Sequence, residues 1–315
     1  MPTQVQNGKA FEYALIHQAN SILSQQTNVT IINNASYNSC LNCFNIFTAV
    51  QQGKYLRAAA TAINHIILLE PRLLHATNGA DILHLELQPD AAGQAGDVRD
   101  LIFTRPSQNW EIGISAKNNH MALKHSRLSQ RLDFGTSWVN VPCSINYFNS
   151  IAPIFNQLIA EKALGTRWSA IVNKPGAVYK PILTHFEAEL RNIDQNNPNI
   201  PQSLINYLVG RQDFYKVMKR NKVVEILAFN INGTLGKSAP GVRPAINVPR
   251  LLLPTQIVQS TIIQHLDGNL HMIFNQGWQL SFRIHNAETL VIPSLKFDIN
   301  LIGQPNSMYS NHLPY

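Results

Sequence analysis

Cysteine is scarce in this chain: Cys40, Cys43 and Cys143 are the only three. An odd number argues against a secreted framework of paired disulfides. Cys40 and Cys43 form one CxxC, but no second pair follows. A zinc site needs about four ligands, so His65 or His75 would have to complete it, and buried thiols are the simpler expectation. The N-terminus has no basic segment leading into an apolar run, so no secretory signal is expected. Nor is there a run of about 20 apolar residues, because Asn64 and His65 interrupt the best stretch, Ala58 to Leu69. A membrane span is therefore not expected, and the cytoplasm is the expected location. Charged residues make up only 14% of the chain against 45% hydrophobic, a globular balance rather than a disordered one. Acids are in deficit: 18 Asp and Glu face 25 Lys and Arg, for a formal net charge of +7. That asymmetry points to an acidic partner, nucleic acid ahead of an anionic membrane surface.

The 315 residues suffice for one large domain or two modest ones, without internal repeats. Phe11, Leu15 and Ile22 recur at near-helical spacing and predict a helix over Gly8 to Leu23; a second is expected over Tyr55 to Leu69. Residues 91–96, Ala-Ala-Gly-Gln-Ala-Gly, read as a loop. Val98 to Thr104 and Trp110 to Ala116 read as strands around a turn at Pro106 to Asn109. Helices are expected over Asn118 to Leu132, Ile145 to Lys162 and Ile182 to Ile193. The Asn- and Pro-rich stretch Asp194 to Pro201 reads as a loop or boundary, and beyond Lys222 the chain turns β-rich. Strands are expected over Val223 to Ile231, Leu270 to Phe274, Trp278 to His285 and Leu290 to Ile292. Gly233 to Arg250 reads as an exposed basic loop. The expected division is a catalytic core over 1–195 and a mixed, β-rich region over 196–315.

The chemistry sits in the hairpin. Folding Trp110–Lys117 back on Asp97–Phe103 returns Ser115 and Lys117 to the neighbourhood of Asp97 and Asp100. Side chains alternate along a strand, so Glu111, Ser115 and Lys117 share one face and Ile112, Ile114 and Ala116 the other. Carboxylates hold a hard divalent cation, usually Mg²⁺, which neutralises developing charge and activates water. A lysine beside them serves the same hydrolysis of a phosphodiester.

An Asp, a spacer and then Asp/Glu-x-Lys is the pattern of the restriction-nuclease-like superfamily, which this segment resembles. The departure is Ser115, which stands two before Lys117 where a carboxylate is usual. The resemblance implies that the missing ligand comes from elsewhere, and Glu12, on the first helix in Gly8-Lys9-Ala10-Phe11-Glu12-Tyr13, is the candidate. Glu111 competes, but lies about 13 Å up the strand from Ser115 at about 3.3 Å per residue. Asp100, which precedes Leu-Ile-Phe, is favoured over Asp97 as principal ligand. Together with Ser115-Ala116-Lys117, the run Asn118-Asn119-His120-Met121-Ala122-Leu123-Lys124-His125-Ser126-Arg127-Leu128-Ser129 is similar to type II restriction endonucleases of the HaeIII type. That similarity implies cleavage of duplex DNA at GGCC with blunt ends, a partner methyltransferase protecting host DNA, and Mg²⁺. It also implies an α/β fold: a restriction-endonuclease-like core with a mixed central sheet flanked by helices, plus a β-rich C-terminal part.

Asn119 and His120 follow the lysine closely enough to touch the cleaved phosphate, with His125 nearby. If Asn118 to Leu132 is helical, Lys124, Arg127 and Arg131 present three cations on one face to phosphates. Sequence reading needs side chains in the major groove; the candidates are Lys237 and Arg243 in the basic loop, and Arg283 and His285 on an alternating strand. A palindrome read by identical halves predicts a homodimer, with a monomer as the alternative. Two rival readings remain at this stage. One is a structure-specific or repair nuclease on the same scaffold. The other is a non-catalytic DNA-binding protein, which Ser115 would favour.

Overall fold

Thr3 and Gln6 close a capping box on helix α1 (Gln4–Leu23), which buries Phe11, Ala14, Leu15 and Ala19 along one side. The computed structural model describes residues 2–75, 81–89, 97–119, 122–263 and 268–315. The loop expected over 91–96 and His120 lie outside the described residues. Asn34 caps α2 (Ala35–Asn45), and Thr48 with Gln51 caps α3 (Ala49–Leu69). Further helices are α4 (Ile145–Ala163), α5 (Lys180–Asn196) and α6 (Ile200–Val209).

The chain forms two compact units that interleave along the sequence: Met1–Met121, Gly210–Leu251 and Ser307–Tyr315 make one, Ala122–Val209 and Leu252–Asn306 the other. The division expected between 195 and 196 falls inside a stretch of the second unit.

The first unit is built on a seven-stranded mixed sheet. Its strands are β1 (Val29–Ile31), β2 (Leu83–Leu87), β3 (Leu101–Arg105), β4 (Trp110–Asn118), β6 (Phe214–Lys219), β7 (Val223–Phe229) and β12 (Tyr309–Pro314), adjacent in that order. β3 and β4 pair antiparallel with Leu101 opposite Ile114 and Thr104 opposite Glu111, so the expected hairpin is present. Asn109, at φ 46°, makes the left-handed step that closes the turn, a conformation Asn tolerates well. β4 then runs parallel to β6, with Ser115 opposite Lys216. Ile112, Ile114, Ala116, Tyr215 and Val217 join one hydrophobic core with α1 and α3, which explains why this face of β4 is apolar throughout. Mixed sheet, flanking helices and a second, antiparallel sheet bear out the α/β expectation.

The second unit holds a five-stranded antiparallel sheet, β5 (Ala122–Ser129), β11 (Ser294–Gly303), β10 (Gln279–His285), β9 (Asn269–Phe274) and β8 (Ile257–Ile262) in spatial order. Here one expectation fails. Asn118 to Leu132 is not a helix: β4 extends to Asn118, and Ala122–Ser129 is a strand. Basic residues three and four apart imitate a helical face, but Ser126 and Leu128 are buried while His125 and Arg127 are exposed, the period of a strand. Pairing with β11, far along the chain, decides the matter. The apolar face of this sheet, with Phe282 and Phe297, packs on Phe186, and Phe297 also meets Trp138. The expected strand at Leu290–Ile292 reduces to an isolated bridge between Leu290 and Arg167; the strand proper begins at Ser294.

Glu70, at the end of α3, is fully buried and accepts from Gly236 N at 2.6 Å and Tyr215 Oη at 2.7 Å, which ties the basic loop to the sheet. Burial raises its carboxyl from 4.5 to about 7. The folded state therefore keeps a proton that the unfolded chain releases above about 4.5. That contribution to stability is complete below 4.5 and is lost as pH rises through 7. Glu70→Gln, neutral at every pH, is expected to flatten the fall of Tm between pH 5 and 8. Parallel curves for variant and wild type would show that Glu70 carries none of it.

Candidate active site

Asp100 stands immediately before β3, opposite the far end of β4. Three donors converge on its Oδ2: Ala116 N at 2.6 Å, Lys117 Nζ at 2.9 Å and Ser115 Oγ at 3.3 Å. Oδ1 takes none of them. The backbone bond fixes Asp100 by the hairpin itself, and Ser115 contributes by holding this carboxylate. Lys117 is 29% exposed and Asp100 25%, open enough for a substrate to reach and shielded enough for their charges to count.

Glu12 lies on α1, whose neighbours Phe11 and Tyr13 anchor that helix in the core. Its carboxyl is raised to about 7, first by burial and next by the negative charge of Asp100, while Lys117 pulls the other way. Cys40 Sγ donates to Glu12 Oε2 at 3.4 Å. Two carboxyl groups that repel each other beside one ammonium form a donor set that a hard divalent cation would relieve. Among the described residues no three His, Cys, Asp or Glu side chains gather at one point, so water and main-chain oxygen would complete the shell. Mg²⁺ is commonly bound through one or two carboxylates in this way.

Asp97 is placed differently. Arg99 grips it through Nε at 2.8 Å and Nη2 at 2.7 Å, and Gln88 Nε2 adds a bond at 2.9 Å. The same guanidinium donates to Glu111 at 2.7 Å, so both acids are held by one arginine. This is the geometry of a structural clamp, and it keeps the Asp97 carboxyl below its ordinary range. The clamp also accounts for Gly113: a Cβ there would lie 2.0 Å from Arg99 Cδ.

The sequence reading did not single out Lys216, which is buried on β6 opposite Ser115. Burial, and then the charge of Lys117, lowers its ammonium from 10.5 to about 7, with Glu225 and Asp100 opposing. A lysine in the middle of the apolar run Phe214–Met218 was the available signal.

The residues expected to touch DNA separate into groups. Asn119, at φ 55°, follows β4, and its N–H donates to Lys219 O at 2.9 Å. Lys124 points to the covered side of its strand, donating to Tyr207 O at 2.9 Å with its ammonium 3.7 Å from that ring's centre. It therefore shares no face with Arg127, and the expected cationic helix face does not exist. Arg131, beyond the strand, is exposed. His125, Arg127, Arg283 and His285 all lie on the other side of the five-stranded sheet. Lys237 and Arg243 are exposed in the basic loop of the first unit.

No helix among the described residues is long and apolar enough to cross a membrane. No solved structure matches the chain. The sequence is 38% identical over 312 residues to the type II restriction enzyme HaeIII of Haemophilus aegyptius, covering 98% of this chain and 97% of that one. It also matches the family described as HaeIII restriction endonuclease across residues 8–305. With the hairpin, its lysine and the mixed sheet in place, the chain belongs to the HaeIII restriction endonuclease family.

Proposed function

We propose that this restriction endonuclease hydrolyses both strands of duplex DNA within GGCC, leaving blunt ends and 5′-phosphates, with Mg²⁺ as its cation. The observation that carries the active site is the Lys117–Asp100 contact at 2.9 Å, fixed by a backbone bond from the same hairpin. Asp100 and Glu12 would hold the cation, which when bound neutralises charge on the phosphate and makes water a stronger nucleophile. The chain's own residues do the rest. Ala116 N and Ser115 Oγ keep the Asp100 carboxylate aimed. The Lys117 ammonium, held at the same carboxylate, offers positive charge to the attacked phosphate and a donor to the attacking water. Asn119 follows at the end of β4, near enough in sequence to contact the phosphate.

Site reading is assigned to the second unit and the basic loop of the first. A palindrome fits a homodimer. The cytoplasm, with a cognate methyltransferase protecting GGCC in host DNA, is the setting such an enzyme requires. The test is to digest an unmodified plasmid with Mg²⁺ and sequence every fragment end. Ends falling between the central G and C of GGCC support the proposal. Scattered ends, or ends at junctions and mismatches only, would favour a structure-specific nuclease. Binding without cutting would favour the non-catalytic reading.

A further inference from the structure

The five-stranded sheet has one apolar side, covered within its unit, and one polar side that carries basic residues in register. His285 on β10 stands opposite Lys296 on β11, which stands opposite Arg127 on β5. In the adjoining row Arg283 stands opposite Asp298, which stands opposite His125. Directly opposed side chains of an antiparallel pair share a face with Cβ atoms about 5 Å apart, and like charges there destabilise the sheet. A solvated face ordinarily mixes signs to avoid that cost. Among the described residues of these two rows, a single acid sits among five basic side chains. Asp298 reaches His125 Nδ1 at 2.5 Å, Lys296 Nζ at 3.4 Å and His285 Nδ1 at 3.6 Å. The carboxylate thus bonds His125 and lies within ion-pair reach of Lys296, and Arg127 and Arg283 remain exposed at the edges of the cluster.

Lys296 and Arg127 are like charges set directly opposite each other, which weakens their pairing and which an anion from outside would relieve. We propose that this face, with Arg127, Arg283 and Lys296 as its charge contacts and Asp298 as the residue that positions the cluster, is a docking surface for duplex DNA. The proposal rests on the reading of the chain as a duplex-cutting enzyme, and it adds Lys296 and Asp298 to the residues named from sequence. Duplex DNA, rather than a small anion, fits three neighbouring strands presenting cations over about 10 Å, at about 4.8 Å between strands, because adjacent phosphates can neutralise them together.

The test measures binding of the full-length chain to a fluorescent duplex containing GGCC, in EDTA so that nothing is cut, over a range of salt. Each lost phosphate contact lowers the slope of log K against log salt by about 0.9. Arg127→Ala with Arg283→Ala is therefore expected to lower the slope by about 2 and the affinity by about tenfold or more at moderate salt. Lys162→Ala removes an exposed charge from α4 of the same unit and is expected to change neither. Should the double variant fold poorly by its melting curve, Arg283→Gln alone is expected to lower the slope by about 1. Wild-type affinity and slope in these variants, or an equal loss in Lys162→Ala, overturns the proposal. Plasmid cleavage by the wild-type chain is scored in parallel with Mg²⁺. A wild-type chain that binds but does not cut sinks the nuclease reading, whereas one that cuts while the arginine variants bind normally sinks only this surface.

Discussion

Asp100→Ala and Lys117→Ala are each expected to lower Mg²⁺-dependent cleavage by about a thousandfold or more, with duplex binding retained. The size follows from what each group is asked to supply. Charge stabilisation at a transferring phosphoryl group is worth several kcal/mol, and each 1.36 kcal/mol is about tenfold in rate. Asp100 is also the point on which Ala116, Ser115 and Lys117 converge, so its loss leaves the ammonium without its anchor. Lys117→Arg is expected to rescue little, because a planar fork cannot replace a compact ammonium at the same carboxylate oxygen.

Asp97→Ala sets the contrast. Its partner Arg99 is mostly buried and keeps Glu111 as a second acceptor, so removing Asp97 loosens the start of the hairpin without removing a ligand. The expected outcome is a lower Tm with cleavage per folded molecule reduced far less than in Asp100→Ala. Complete loss of cleavage at an unchanged Tm would make Asp97 a ligand and displace Asp100 from that role. Glu12→Gln belongs with Asp100 if Glu12 shares the cation: the half-saturating Mg²⁺ concentration should rise even where folding is intact.

What was legible in the sequence was what short-range structure decides. The β3–β4 turn spans few residues, so alternation along Trp110–Lys117 was enough to bring Lys117 back to Asp100. The α1 pattern likewise placed Glu12 on a helix whose apolar side is buried. Ser115 looked like a defect in the motif, yet its hydroxyl bonds the carboxylate that remains. The failures are non-local. Ala122–Ser129 carries a helix-like spacing of cations, and only its pairing with Ser294–Gly303 makes it a strand. Lys216 enters the site through parallel pairing of β4 with a strand about a hundred residues on, which no window could reveal. One miss is local: Arg99, between Asp97 and Asp100 in sequence, clamps Asp97, and the sequence reading named no partner for either.

Arg105→Met is expected to cost about 3–5 kcal/mol of unfolding free energy, the range for breaking a buried ion pair from one side. Arg105 ends β3 and is fully buried. Its guanidinium donates to Asp81 at 3.1 Å, to Arg72 O at 2.6 Å, to Leu73 O at 2.9 Å and to Thr27 Oγ1 at 2.9 Å. Methionine fills the volume but leaves two carbonyls and a carboxylate without that donor, and a buried acceptor left unpaired costs more than the bond itself gained. Asp81 keeps Ser107 and Gln108, so the loss stays toward the lower end of the range. Lysine at the position recovers only part, since one ammonium cannot span four acceptors that a fork reaches together. Urea unfolding measures the cost directly, and cleavage per folded molecule measures something else. Asp100 lies at the opposite end of β3, about 17 Å away at about 3.3 Å per residue. A variant that loses stability yet cuts at the wild-type rate when folded would separate the girder from the active site. Equal urea midpoints for Arg105→Met and wild type would show that this cluster does not hold the sheet to its flanking segments.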